Sequence, residues 1–142
     1  LIGGEESGGF SIRGHVREKD GVLMGLLGAA AAADESMDER VDRLLDEHGD
    51  IVSDKISLDC PDSEKERVID DLDDALPERV ADRDIADVVT LDGFKLLLED
   101  GSWLLVRPSG TEPKMRIYTE AGSQARADAL LAAGRELVEP LI

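Results

Sequence analysis

The spacing of apolar positions divides the chain into elements. Val22 to Ala33 runs without a charge, with Val22, Leu23, Leu26, Leu27 and Ala30 on one helical face, and predicts a buried helix over 21–33. Met37, Val41, Leu44 and Leu45 repeat at the same spacing, with His48 in line as a C-terminal cap rather than a ligand. Ahead of them, Ser36-Met37-Asp38-Glu39 has the capping-box pattern, in which a serine and a glutamate satisfy each other's orphan amides, and Gly49 supplies the stop. Strands are predicted over 51–58, 85–91, 94–98, 102–106 and 114–119, the last with Met115 and Ile117 on one face and Arg116 and Tyr118 on the other. Asp92-Gly93 and Asp100-Gly101 signal tight hairpins. After the turn at Pro61-Asp62, Ser63 and Glu66 predict a second capping box, opening a helix that packs Val68, Ile69, Leu72 and Leu76. The last helix, 123–138, buries Ala127, Leu130, Leu131, Ala133 and Leu137.

From residue 51 the order is β-α-β-β-β-β-α, mostly joined by hairpins. That is an α+β pattern, an antiparallel sheet with two helices on one face. Residues 1–48 form a separate region: a glycine-rich loop over 3–20, then two helices. Leu1-Ile2-Gly3-Gly4 reads as the end of a buried strand, which suggests a chain beginning inside an α/β domain.

Composition narrows the function. The 142 residues carry a formal net charge of −17, which argues against nucleic acid and against an anionic membrane surface as partners. Trp103 is a core or rim residue, and aromatics at 3% build no stacking platform for bases. The longest apolar run, Val22 to Ala33, falls short of the ~20 residues a membrane span needs. Cys60 is the single cysteine, a small buried hydrophobe that fits a reducing, cytoplasmic setting. The 19 Asp and 14 Glu stand against only 5 Lys, and Asp34, Asp38, Asp42, Asp46, Asp50 and Asp54 recur every four residues. This texture is that of a halophilic protein, soluble by charge and screened by salt, or of an ordinary acidic domain.

Two segments carry chemistry. In Arg107-Pro108-Ser109-Gly110-Thr111-Glu112-Pro113-Lys114, Arg107 offers a fork of donors matched to phosphate, Ser109 and Thr111 offer hydroxyls, and Gly110 lets backbone amides approach an anion. Arg107, Lys114 and Arg116 are close together in a chain poor in cations. A plain inter-strand loop is the competing reading. Glu112 repels phosphate unless it points away or pairs with Lys114 or Arg116. In Gly3-Gly4-Glu5-Glu6-Ser7-Gly8-Gly9, carboxylates and a hydroxyl suit sugar hydroxyls, or the segment is simply a turn. Glu5 and Glu6 are too few oxygens for a hard cation.

Together, Gly4-Glu5-Glu6-Ser7-Gly8-Gly9, Arg17-Glu18-Lys19-Asp20-Gly21 and Arg107-Pro108-Ser109-Gly110-Thr111-Glu112-Pro113 resemble the α-D-phosphohexomutases, including phosphoglucomutase, phosphomannomutase and phosphoglucosamine mutase. The resemblance implies the end of the family's third domain over 1–48 and its whole fourth domain, TATA-box-binding-protein-like, over 51–142. It implies that Glu5 and Ser7 hold sugar hydroxyls and that Arg107, Ser109, Gly110 and Thr111 grip the non-transferred phosphate. It gives Lys19 an acid–base or electrostatic role. Such a role needs a lysine pKa lowered from ~10.4, with Arg13 and Arg17 as candidate causes, whereas a surface ion pair with Glu18 or Asp20 is the alternative. Gly9 stands where many phosphomannomutases and phosphoglucosamine mutases have histidine, and His15 comes later. This departure leans toward phosphoglucomutase-like enzymes.

The implied reaction interconverts hexose 1-phosphate and hexose 6-phosphate through a phosphoserine enzyme and a glucose 1,6-bisphosphate-type intermediate. The phosphoserine and Mg²⁺ belong to upstream domains of the same chain, no metal site lies in these residues, and the segment alone is expected to be inactive. The alternatives are a phosphoglucosamine mutase or a non-catalytic phosphosugar-binding module.

Overall fold

The computed structural model describes residues 1–5 and 8–142, which fall into two units, 1–48 and 49–142. In the smaller unit β1 (Ile2–Gly4) pairs antiparallel with β2 (Phe10–Ile12). Helix α1 (Gly21–Asp34) starts at Asp20, whose carboxylate accepts from the amides of Val22 and Leu23, both at 3.0 Å. Helix α2 (Met37–His48) opens with the predicted box: Ser36 N donates to Glu39 Oε2 at 3.0 Å and Glu39 N to Ser36 Oγ at 3.2 Å. Arg40 Nη2 reaches back to the Ala31 carbonyl at 2.9 Å, tying α2 to the end of α1. Gly49, at φ +85°, takes the left-handed conformation that ends α2.

One expectation fails here. Helix α1 buries no residue, and Val22 is 77% exposed and Leu26 65%. Met37, Val41 and Leu44 on α2 are exposed as well. An apolar stripe predicts burial only where a second layer exists to cover it. Two three-residue strands and one neighbouring helix do not form that layer.

The larger unit comprises β3 (Val52–Asp59), α3 (Lys65–Ala75), β4 (Arg79–Val80), β5 (Arg83–Val89), β6 (Phe94–Leu98), β7 (Trp103–Pro108), β8 (Lys114–Ala121), α4 (Gln124–Val138) and a 3₁₀ turn, Glu139–Leu141. The six strands form one antiparallel sheet in the order β3-β8-β7-β6-β5-β4. The first strand lies beside the last, with Ile56 opposite Ile117. Alternation sends Phe94, Leu96, Leu98, Leu104, Val106, Met115 and Ile117 to one face. Val68 and Leu72 of α3 and Ala127, Leu130, Leu131 and Val138 of α4 close over them. Complete burial of a side chain of this size contributes about 1.5–3 kcal/mol. Helix α4 approaches so closely that a Cβ on Gly134 would stand 2.8 Å from Ile117 Cγ2. The predicted α+β fold, an antiparallel sheet with two helices on one face, is the observed one.

Two local differences have clear causes. Ser63 caps nothing: α3 starts after Glu64, which makes no side-chain cap bond, because the Pro61–Glu64 turn (Glu64 N to Pro61 O, 2.9 Å) carries the chain into the helix. The β4–β5 hairpin was not predicted, since its turn residues, Ala81 and Asp82, adopt φ of 45° and 65° without a glycine. Guanidinium bonds hold it: Arg126, far along the chain, donates to the Ala81 carbonyl, and Arg79 and Arg83, from the hairpin itself, donate to the Asp82 carbonyl.

The opposite sheet face carries Lys55 of β3, Lys95 and Leu97 of β6, Trp103, Leu105 and Arg107 of β7, and Lys114, Arg116 and Tyr118 of β8. Lys95 Nζ lies 4.0 Å above the Trp103 ring. Among the described residues no helix is long and apolar enough to cross a membrane.

Candidate functional site

In the larger unit the β7–β8 connection forms a closed loop. Ser109 N donates to Lys114 O at 2.9 Å, and Cys60 N, on a buried residue, donates to Pro113 O at 2.9 Å. Ser109 is itself buried, and its Oγ accepts from the amides of Thr111 and Glu112 at 3.4 and 3.2 Å. Its hydroxyl oxygen therefore shapes the loop from inside. Gly110 and Thr111 are exposed at the tip. Among the described residues no acceptor takes the Gly110 N–H.

Arg107 and Arg116 stand directly opposite each other on β7 and β8. Like charges so paired are destabilising on their own. Three groups offset this. Arg107 Nη1 donates to Asp92 Oδ2 at 2.9 Å; the Tyr118 hydroxyl accepts from Arg107 at 3.4 Å and from Arg116 at 3.5 Å; and Arg116 bonds Glu112. Arg107 also lies over the Tyr118 ring, 5.4 Å from its centroid. Burial pushes the Tyr118 phenol up, but the bonds from Arg116 and Arg107 outweigh it and the net direction is down. Of the alternatives open for Glu112, the structure shows the pair with Arg116, and that hydrogen bond holds its carboxyl below the usual range. A ligand anion entering here meets two guanidiniums whose carboxylate partners, Asp92 and Glu112, are 71% and 49% exposed and so able to swing aside.

Lysine 65, at the start of α3, carried no sequence signal for this site. Its Nζ donates to the carbonyls of Ser109 and Glu112, both at 2.6 Å. The only cue was its place just after the Pro61 turn.

In the smaller unit, Glu5 N donates to Gly9 O at 2.9 Å and Gly8 N to Glu5 O at 3.0 Å, closing a tight loop. Ser7, the other candidate sugar ligand there, and Glu6 lie outside the described residues. Lys19 Nζ stands 3.0 Å from Glu5 Oε2, so two candidate residues far apart in sequence come together. Gly9 allows this, because a Cβ there would stand 2.7 Å from Lys19 Cδ. The expectation that Arg13 and Arg17 lower the Lys19 pKa is not met. The hydrogen bond to Glu5 raises it, with Coulombic attraction to the same carboxylate in support. The ion pair is with Glu5 and not with Glu18 or Asp20, since Asp20 instead meets His15 Nε2 at 2.7 Å and caps α1. Among the described residues no three His, Cys, Asp or Glu side chains gather as a metal-ligand set.

Comparison with known proteins gives this geometry its context. Residues 56–137 match the family described as phosphoglucomutase/phosphomannomutase, C-terminal domain. Residues 1–48 match phosphoglucomutase/phosphomannomutase, alpha/beta/alpha domain III. A phosphopentomutase of Thermococcus kodakarensis is 39% identical over 88 residues, covering 62% of this chain and 19% of that protein. A phosphoglucosamine mutase of Methanococcus aeolicus is 34% identical over 139 residues, 98% of this chain and 29% of its own length. A solved phosphoglucomutase/phosphomannomutase family protein from Burkholderia thailandensis shares the fold at a TM-score of 0.71 and 22% identity, over 99% of this chain and 28% of that one. The chain thus spans under a third of the length of these relatives. It belongs to the phosphoglucomutase/phosphomannomutase family.

Proposed function

We propose that this chain supplies substrate recognition to a phosphohexomutase, an enzyme that interconverts hexose 1-phosphate and hexose 6-phosphate through a 1,6-bisphosphate. The observation that carries this reading is the β7–β8 loop, where a Gly110 amide with no acceptor among the described residues stands at the tip of a segment flanked by two opposed guanidiniums, Arg107 and Arg116. In this reading Arg107, Ser109, Gly110 and Thr111 hold the phosphate that is not being transferred, with Ser109 acting partly through loop shape. Glu5 and Ser7 bind sugar hydroxyls. Lys19, charged beside Glu5, acts electrostatically rather than as a base, because its raised pKa keeps the proton on Nζ. Phosphoryl transfer rests on positioning and charge stabilisation, and these loops contribute the positioning. We place the phosphoserine and the Mg²⁺ in upstream domains of the same protein, outside these residues. This chain by itself then binds without turning over.

The substrate we favour is glucose 1-phosphate, because Gly9 stands where many phosphoglucosamine mutases and phosphomannomutases have histidine, with dual glucose and mannose activity as the neighbouring alternative. The relatives named phosphoglucosamine mutase support the aminosugar as the second reading. The test is an amide-resolved NMR titration of this chain with glucose 1-phosphate in molar KCl. Shifts at Arg107, Gly110 and Thr111 are expected, and spectra unchanged at millimolar ligand would overturn the reading. Glucosamine 1-phosphate shifting the Gly9 and Lys19 amides where glucose 1-phosphate does not would favour the second.

We also propose that the acidic surface is an adaptation to salt. At −17 the self-repulsion is long-ranged, and it is screened once the Debye length falls from ~10 Å at 0.1 M to ~3 Å at 1 M. The melting temperature is therefore expected to climb steadily through a KCl series into the molar range. A flat series would identify an ordinary acidic domain.

A further inference from the structure

We infer that Lys65 is a positioning residue for the β7–β8 loop, one that aims the Gly110 amide at the ligand phosphate by gripping the loop from behind. The inference rests on the reading of that loop as a phosphate grip. Lys65 is the first residue of α3, where the helix dipole disfavours a cation. Its side chain is nonetheless only 13% exposed. The ammonium has three protons and three oxygen partners: the Ser109 carbonyl and the Glu112 carbonyl, both at 2.6 Å, and Asp62 Oδ1 at 2.5 Å.

The peptide plane supplies the aim. In a trans peptide the carbonyl and the following N–H point to opposite sides, and among the described residues no peptide bond is cis. With the Ser109 carbonyl fixed on Lys65, the Gly110 N–H must face the other way, where no acceptor among the described residues meets it. The Glu112 carbonyl precedes Pro113, which has no N–H to aim, so that bond only anchors the far end of the loop. The amides of Thr111 and Glu112 are drawn inward by Ser109 Oγ. Of the three amides at positions 110–112, the lysine leaves one outward.

The grip holds the ground state and the transition state alike, so its loss weakens binding rather than slowing chemistry. Titrating this chain with glucose 1-phosphate by amide-resolved NMR tests the inference across four proteins. Wild type is expected to shift at Gly110. Lys65→Met should bind roughly 10- to 100-fold more weakly, the span of a charge-assisted bond. Lys65→Arg, which keeps donors for both carbonyls, should stay within about threefold of wild type. Val138→Ala, a core change away from the loop, should melt earlier yet bind as wild type does. Should Lys65→Met fail to fold, Lys65→Gln takes its place with the same expectation. Wild-type affinity in the Met or Gln variant overturns the inference. So does equal weakening in Val138→Ala, which would mean Lys65 acts only through stability. A wild type that does not bind overturns the phosphate-grip reading itself, and the role of Lys65 with it.

Discussion

Replacing Gly93 with alanine is expected to cost the larger unit about 4 kcal/mol and to displace Arg107 as well. Gly93 sits at φ +92°, a conformation that costs a residue with a Cβ about 1–2 kcal/mol. The larger part of the effect is steric. A Cβ at this position would stand 2.2 Å from the Val106 carbonyl oxygen, 2.7 Å from Arg107 Cβ and 3.0 Å from Arg107 Cα. Two of those atoms are backbone, inside a strand paired on both sides, and cannot move cheaply. The hairpin must lift, and Asp92 goes with it, so Arg107 loses its 2.9 Å partner. A loss of this size is a large share of the 5–15 kcal/mol that holds a typical domain together. Urea denaturation reads the first part, as a lower midpoint. The Arg107 Nε–Hε resonance reads the second. Less than about 1 kcal/mol of destabilisation would mean that the β6–β7 ladder yields far more easily than its pairing implies.

Gly93 also shows what was legible in the chain. The Asp92-Gly93 signal located the hairpin, because the demand for a left-handed residue is local. The same holds for the Ser36–Glu39 box, the stop at Gly49, and the alternation from Lys114 to Thr119. What failed was non-local. The β4–β5 turn at Ala81-Asp82 exists because Arg126, 45 positions along, donates to its carbonyl, and no window of local propensity contains that partner. Ser63 and Glu66 matched a box, but the proline turn before them decided where α3 begins. The α1 stripe read as buried because periodicity reports a face and not the layer that covers it. At the site, the acidic and basic residues of both loops could be named from spacing and resemblance. Lys65 could not, since a lone lysine in a chain of 142 carries no pattern. Lys19 was named, but its partner was not. The Glu5 carboxylate that raises its pKa lies on the other side of a turn whose closure by Gly9 shows only in three dimensions.

Arg107→Ala separates function from stability in the way Gly93→Ala does not. The guanidinium is about one-third exposed and its carboxylate partner Asp92 is 71% exposed, so their 2.9 Å ion pair is a surface pair worth about 0–1 kcal/mol. Removal also relieves the repulsion between Arg107 and Arg116 across β7 and β8. The melting temperature should therefore hold or rise slightly. Binding of glucose 1-phosphate should fall by roughly a hundredfold or more, since truncating one partner of a hydrogen-bonded charge pair costs about 2–5 kcal/mol. Arg107→Lys keeps the charge without the planar fork, and it loses the arrangement in which one Nη faces Asp92 and the other faces Tyr118. It should recover only part of the affinity. The titration that locates the phosphate at Gly110 measures all three proteins. Undiminished affinity in Arg107→Ala would show that Arg116, the other member of the opposed pair, carries the charge recognition alone. Affinity lost together with the fold would show that the Tyr118 hydroxyl needs both arginines to be tolerated on the half-covered face of the sheet.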